Sequence, residues 1–183
     1  MMRPIIFMAL WALCLMARAE RPSEAVMDGC LLFDKAAPSI SVTRFEGPEI
    51  LVDEHSVPGY EIFTPTARSV AVKVGYATSK RGSNDFVFAG RYRGYIRTAT
   101  ALGAFKAERI ESPSLAFYAV LREGPRQYLC VVESAAQGSA AFVRSAFVAA
   151  FPPKGSRYLA LFYQVADVRQ LKAFGAGATR DGN

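Results

Sequence analysis

Two cysteines 100 residues apart constrain the fold of this chain more than any other feature of its sequence. The chain has 183 residues and three cysteines, and the first, Cys14, lies in an N-terminal apolar segment that we expect to be removed on export. Cys30 and Cys130 would then be the only thiols of a protein in an oxidising compartment, so we expect them to form a disulfide. A reactive or metal-binding thiol is the alternative, but metal-binding cysteines normally cluster at short spacing. The disulfide would tie the first ordered strand, which contains Cys30, to a strand near the middle of the domain.

The first 19 residues, MMRPIIFMALWALCLMARA, have the pattern of a secretory signal peptide. Arg3 supplies a basic start, an apolar run follows, and residues 17–19, Ala-Arg-Ala, fit the A-x-A cleavage pattern. The mature chain is therefore predicted to begin near Glu20, in a periplasm or outside the cell. An uncleaved anchor is the alternative, although the run is short for about 30 Å of hydrocarbon. No integral membrane segment is expected after cleavage.

The charge and the length of the mature protein limit its expected partners and its expected number of domains. Loss of Arg3 and Arg18 lowers the formal charge from +6 to +4. A mild positive charge favours acidic partners and anionic surfaces through long-range attraction, and nucleic acid is not expected as the partner of an exported protein. With 51% hydrophobic residues, the chain is predicted to form a single globular domain over 20–174 and a flexible tail over 175–183.

Alternation of apolar and other residues predicts several β-strands. In residues 69–77, SVAVKVGYA, the larger apolar side chains fall at every second position, which is typical of a strand with one buried face. After a polar turn the pattern resumes over 85–98, so these segments predict a long hairpin. A second hairpin is predicted from strands at 115–122 and 126–134. Shorter strands are expected at residues 30–33, 39–45, 60–63 and 157–165.

The C-terminal third is predicted to contain two helices. Apolar residues over 134–151 follow one helical stripe, with Phe147 on the buried side. A short helix is predicted at 166–174, ended by Gly175. The fold class is therefore α+β: a twisted antiparallel sheet with a C-terminal helix-strand-helix covering one face. A β-sandwich with a decorating helix is the alternative.

The segment 90–97, GRYRGYIR, is the strongest candidate for a binding surface. In an uninterrupted strand, one face would carry the core side chains Phe86, Phe88, Gly90, Tyr92, Gly94 and Ile96. The other face would carry Arg91, Arg93, Tyr95 and Arg97. Such a row suits carboxylate, sulfate or phosphate groups, with Tyr95 as an aromatic anchor. An ordinary solvated strand face is the alternative, and a bulge at Gly90 or Gly94 would shift the alternation.

Residues for catalysis are few. The chain has one histidine, His55, and no nucleophile motif, so no catalytic residue, metal site or cofactor is predicted. A pair of carboxylates leaves no fixed spacing, and its candidates are Asp53, Glu54, Glu61, Glu108 and Glu111. Exposed tyrosines could instead mark a contact surface, and at most one is expected to do so among Tyr118, Tyr128, Tyr158 and Tyr163.

These features favour a binding protein over an enzyme. The first hypothesis is an exported, disulfide-containing binding module that recognises a protein or an anionic glycan or peptide, a class that includes inhibitors and toxin-neutralising proteins. The second is a structural subunit of an envelope or secretion assembly. The third is a small envelope hydrolase acting through carboxylates or His55.

Overall fold

Strands dominate the structure, a computed structural model that describes residues 21–32, 36–45, 50–54, 56–66, 72–82, 84–134, 142–152 and 156–171. Within these ranges lie one α-helix and eleven β-strands. They are α1 (Glu24–Leu32), β1 (Ile40–Arg44), β2 (Ile50–Asp53), β3 (Tyr60–Pro65), β4 (Val74–Ser79), β5 (Phe86–Ala89), β6 (Tyr92–Tyr95), β7 (Thr100–Ala101), β8 (Phe117–Glu123), β9 (Arg126–Ser134), β10 (Val143–Ala150) and β11 (Ala160–Asp167). The predicted signal peptide, the predicted tail and His55 lie outside the described residues.

The strands form two sheets. The first sheet has the order β1-β8-β9-β10-β11-β7, and the second has the order β2-β3-β4-β5-β6. Neighbouring strands are antiparallel except β11 and β7, which pair in parallel. Each strand of the second sheet pairs with the next strand in the sequence. The prediction of a largely antiparallel, sheet-rich α+β fold is confirmed at this coarse level.

The two sheets pack face to face, and the helix lies on the far side of the first sheet. The core between the sheets includes Val74, Tyr76 and Val87 from the second sheet and Leu129, Val131 and Phe147 from the first. The other face of the first sheet contributes Leu121, Cys130 and Val148 to a core shared with Val26 and Leu31 of α1. The layers are therefore helix, first sheet and second sheet. The alternative prediction of a β-sandwich with a decorating helix had two sheets of this kind, but its helix was the one predicted near the C-terminus rather than α1.

The strand predicted at 30–33 is wrong, because residues 30–32 belong to helix α1. The helix begins after Ser23, whose Oγ accepts a hydrogen bond from the Val26 N–H at 3.2 Å, and Glu24 places an acidic side chain in the first turn. Periodicity in the short apolar run at 30–33 does not distinguish a strand from a buried helix segment.

The predicted disulfide is confirmed, and it attaches α1 to the first sheet. Cys30 of the helix is bonded to Cys130 of β9. A second link lies at the C-terminal end of α1, where the Arg144 guanidinium donates to the Leu31 carbonyl at 2.5 Å. A carbonyl in the last turn of a helix has no partner within the helix, so Arg144 satisfies this group and adds a favourable charge there.

The helix predicted over 134–151 is wrong, because residues 143–150 form β10. This strand lies between β9 and β11 and pairs with both. Both of its faces are covered, one by α1 and the other by the second sheet, so consecutive residues from Ala146 to Ala150 are all buried. A strand buried on both faces has no alternation, and its apolar residues can match a helical stripe by chance. Phe147 is buried, as predicted, but in a strand.

The helix predicted over 166–174 is also not present in the described part of that segment. Residues 166 and 167 end β11, and residues 168–170 form a turn in which the Gln170 N–H donates to the Asp167 carbonyl. The predicted helix-strand-helix is therefore replaced by two paired strands, β10 and β11.

The predicted hairpin at 115–134 is confirmed. β8 and β9 pair in register from Phe117 opposite Val132 to Glu123 opposite Arg126. Gly124 in the connecting turn has φ 58°, a left-handed conformation that favours glycine. Strands predicted at 39–45, 60–63 and 157–165 correspond to β1, β3 and β11.

Candidate binding surface on the arginine hairpin

Residues 86–95 form a tight hairpin rather than one long strand, and a short 3-10 helix follows at Ile96–Thr98, so the predicted uninterrupted strand is wrong. β5 ends at Ala89 and β6 begins at Tyr92, directly opposite it. The two residues between them include Gly90, which has φ 57°. A two-residue turn with a left-handed first position matches the twist of antiparallel strands. We call residues 86–97 the arginine hairpin.

The reversal of the chain changes which side chains share a face. Arg93 lies opposite Phe88, and Tyr95 lies opposite Phe86, so these four side chains project from the same face of the second sheet. Val87 projects from the other face into the core between the sheets. The prediction that Phe86 and Phe88 share a face with Tyr92 and Gly94 is therefore wrong. Of the four residues predicted to share the other face, Arg93 and Tyr95 lie on the face away from that core, whereas Arg91 lies in the turn and Arg97 lies in a short 3-10 helix after β6.

Aromatic rings form the base of this outer face. The Phe86 ring lies edge-on to Tyr60, with centroids 5.2 Å apart, to Tyr95 at 5.6 Å and to Phe88 at 6.3 Å. Phe86 is only 2% exposed, although it lies on the outer side of the sheet. The surrounding rings and Ile62 shield it. The outer face is therefore an ordered aromatic surface.

Each arginine of the hairpin lies over one ring. The guanidinium carbon of Arg93 is 4.9 Å from the centroid of Phe86, that of Arg97 is 5.7 Å from Tyr95, and that of Arg91 is 5.4 Å from Tyr92. None of the three forms an ion pair with a carboxylate of the described residues. The rings therefore restrict these cations without neutralising their charge.

The nearest carboxylate in the sequence, Asp85, is directed into the protein. It accepts hydrogen bonds from the Tyr76 hydroxyl at 2.9 Å and from the Ser79 N–H at 2.8 Å. The Tyr76 oxygen accepts a further bond from the Ile110 N–H at 3.1 Å, and burial raises the pKa of this phenol above its usual range. The Asp85 carbonyl accepts from the Ile96 N–H at 3.0 Å. Asp85 thus fixes both ends of the hairpin to the core.

A neighbouring segment adds an aromatic residue beside Arg93. β6 is the last strand of the second sheet, and its outer edge is bridged by Tyr158 and Leu159. The Leu159 N–H donates to the Arg93 carbonyl at 2.9 Å, and Tyr158 is the bridge partner of Arg93. Tyr158 is 65% exposed. The sequence does not indicate that Tyr158 lies close to Arg93, because 65 residues separate the two.

The four tyrosines considered as contact residues differ in exposure. Tyr118, Tyr128 and Tyr163 are buried, and only Tyr158 among the four is exposed. Tyr158 is therefore the tyrosine of this group that a partner could reach, and it lies beside Arg93.

The carboxylates considered for catalysis do not converge as one group. Glu54 forms an exposed ion pair with Lys80 at 3.6 Å, and Asp53 accepts from the Ser56 N–H in the same region. Glu108 and Glu111 instead line a cleft elsewhere. In the parts of the chain that the structure describes, no three His, Cys, Asp or Glu side chains are arranged to hold a metal ion, and no helix there is long and apolar enough to cross a membrane.

Comparison with known proteins adds no family. The chain matches no protein-family model, no curated protein and no solved structure. Its function must therefore be inferred from the geometry described above.

Proposed function

We propose that this protein is an exported binding module that holds an anionic partner on the arginine hairpin. Arg91, Arg93 and Arg97 provide the charge, and Tyr95 provides an aromatic anchor. One observation carries the proposal: three guanidinium groups on one hairpin each lie over a ring, and none is neutralised by a described carboxylate.

The stacking geometry favours recognition of anions. A guanidinium group held over a ring loses less conformational freedom on binding than a free side chain. Its N–H groups remain able to donate two parallel hydrogen bonds to a carboxylate or sulfate group. Three such groups on a short hairpin suit a partner with several negative charges, such as an acidic protein surface or an acidic glycan.

Export is supported by the N-terminal sequence and by the disulfide. A stable bond between Cys30 and Cys130 is typical of proteins in oxidising compartments. Binding rather than catalysis is supported by the exposed polar groups of the hairpin, which are the guanidinium groups of Arg91 in the turn, Arg93 in β6 and Arg97 just after β6.

Retention on two immobilised polyanions tests the proposal. Heparin represents sulfated glycans and poly-L-glutamate represents acidic protein surfaces. The exported protein is expected to bind at low salt and to elute as salt rises, since screening weakens exposed charge contacts. A triple variant, Arg91→Glu with Arg93→Glu and Arg97→Glu, is expected to pass through both columns while keeping its circular dichroism spectrum.

A matched control variant distinguishes binding at the hairpin from attraction by the net charge of the protein. Arg21→Glu, Lys106→Glu and Arg122→Glu change the charge equally at exposed positions outside the hairpin. This control is expected to remain bound at low salt. If the control and the hairpin variant lose binding equally, or if the folded hairpin variant binds like the natural protein, the hairpin is only a solvated strand face.

A further inference from the structure

A second surface differs from the arginine hairpin in its chemistry. It is a cleft lined by carboxylates and apolar side chains. It has a volume of 690 Å³ and lies between the loop that precedes β8 and the ends of β9, β10 and β11. This volume is within the range of binding sites for small molecules and short peptides. We call it the β8 cleft.

Exposed apolar side chains form the rim of the β8 cleft. Phe105 is 61% exposed, Leu115 is 73% exposed and Phe117 is 55% exposed. A single exposed apolar side chain is ordinary, but several large ones around one concave surface are typical of an interaction site. The rim can therefore accept an apolar side chain of a partner.

Carboxylates give the cleft its polarity. Glu133 is half-buried and is fixed by two backbone donors, the N–H groups of Glu111 at 3.1 Å and Ser112 at 2.6 Å. Two hydrogen bonds leave a carboxylate with further acceptor capacity, so Glu133 can still accept from a ligand. Its position is set before any ligand arrives, which reduces the entropic cost of binding.

The charges that remain for a ligand are mainly negative. Arg109 pairs with Glu111 at 3.4 Å, which leaves Glu108 and Glu133 against one lysine, Lys106, in the lining. Burial, followed by the nearby carboxylates of Glu108 and Glu133, raises the pKa of the Tyr163 phenol at the base of the cleft. The carboxylates of Glu108 and Glu133 therefore both make the electrostatic potential in the cleft more negative, which stabilises a bound cation.

We propose that the β8 cleft binds a short peptide segment in which an arginine or lysine lies beside a large apolar residue. The cation would pair with Glu133 and Glu108, and the apolar side chain would pack against Leu115 and Phe117. The occupant differs in charge from the anionic partner proposed for the arginine hairpin, so the two proposals can be tested separately.

Fluorescence anisotropy with a defined peptide tests this site. The probe is fluorescein-labelled Leu-Arg-Phe-Arg-Leu-amide, and the matched probe has citrulline in place of each arginine, which removes the charge at nearly constant size. The exported protein is expected to bind the arginine peptide about tenfold or more tightly than the citrulline peptide, the factor for one hydrogen bond between charged groups. Backbone amide NMR signals of Leu115, Phe117 and Ser145 are expected to shift on titration.

Three variants locate the binding, two at exposed positions and one at the half-buried Glu133. Glu108→Gln is expected to weaken binding of the arginine peptide about two- to fivefold, as for the loss of an exposed ion pair. Leu115→Ser is expected to weaken binding of both peptides about fivefold, because it removes apolar contact with the peptide. Glu133→Gln is expected to have a larger effect than Glu108→Gln, provided that its circular dichroism spectrum is unchanged.

Two controls separate this result from the proposed function. The pair Glu24→Gln and Glu54→Gln, exposed and away from the cleft, should leave the affinity unchanged. The triple arginine variant of the hairpin should also bind the peptide normally. Equal affinity for the arginine and citrulline peptides, no binding at millimolar peptide, or full binding by both Glu108→Gln and Leu115→Ser would overturn the proposal.

Discussion

The buried hydrogen bond between Tyr76 and Asp85 should make a measurable contribution to stability and to the position of the arginine hairpin. Asp85 lies just before β5, and its carboxylate accepts from the Tyr76 hydroxyl at 2.9 Å and the Ser79 N–H at 2.8 Å. Both side chains are buried, so water does not replace a lost partner. Replacing Asp85 by Ala leaves two buried donors unsatisfied.

The expected magnitude follows from these contacts. Hydrogen bonds to a charged group contribute roughly 1.5 to 3 kcal/mol each, so Asp85→Ala is expected to cost about 3 to 6 kcal/mol. Tyr76→Phe removes the bond to Asp85 and the acceptor of the Ile110 N–H, and about 2 to 4 kcal/mol is expected. Only the Tyr76–Asp85 bond is common to both changes, so their coupling energy should be about 1.5 to 3 kcal/mol.

A double-mutant cycle in urea measures this coupling. The free energy of unfolding is determined for the natural protein, both single variants and the double variant, with the disulfide intact. Tyr163→Phe combined with Asp85→Ala is the control, and these two changes should be additive. A coupling energy below about 0.5 kcal/mol, which is within the scatter of independent sites, would refute the assigned hydrogen bond.

Three further predictions concern packing and ionisation. A Cβ at position 75 would overlap the carbonyl oxygen of Phe63, so Gly75→Ala is expected to cost about 3 kcal/mol of unfolding free energy in urea, and a neutral result would contradict the close approach of β3 and β4. Phe147 is buried between the sheets, so Phe147→Ala is expected to cost about 3 to 5 kcal/mol, whereas a loss below about 1 kcal/mol would place this side chain outside the core. Hydrogen bonds from Arg169 lower the pKa of Asp167 to about 2, so the stabilisation is complete above the ordinary value of 3.8 and is lost as pH falls through 2. Carboxyl NMR titration should show this low midpoint, and Arg169→Gln should return it toward 3.8.

Local patterns predicted strands that are joined by a recognisable turn. The hairpin of β8 and β9 was predictable because Gly124 marks a turn between two apolar runs, although both faces of these strands are buried. β10 has no such turn signal next to it, and because α1 and the second sheet cover its opposite faces, its apolar run does not alternate. Which faces are covered depends on distant parts of the chain, so no local window contains that information.

The candidate surface was proposed from a local segment of the sequence, which did not indicate its geometry. Arg91, Arg93, Tyr95 and Arg97 are recognisable in the segment GRYRGYIR, and their role in binding stays a prediction. The turn at Gly90 reverses the chain and places Arg93 over Phe86, a contact that an uninterrupted strand would exclude. Glycine within an alternating run is compatible with a strand, a bulge or a turn, so the sequence pattern did not decide among them.

The link between Cys30 and Cys130 would also set an order of events if the chain is exported as proposed. Cys30 would then reach the oxidising compartment before Cys130, which lies 100 residues later, so α1 would have no covalent attachment until β9 follows. If Cys14 is removed with the proposed signal peptide, Cys30 and Cys130 can pair only with each other among the cysteines of this sequence. Their pairing would then need a thiol oxidant, and a chain that ends before β9 would keep Cys30 as a thiol.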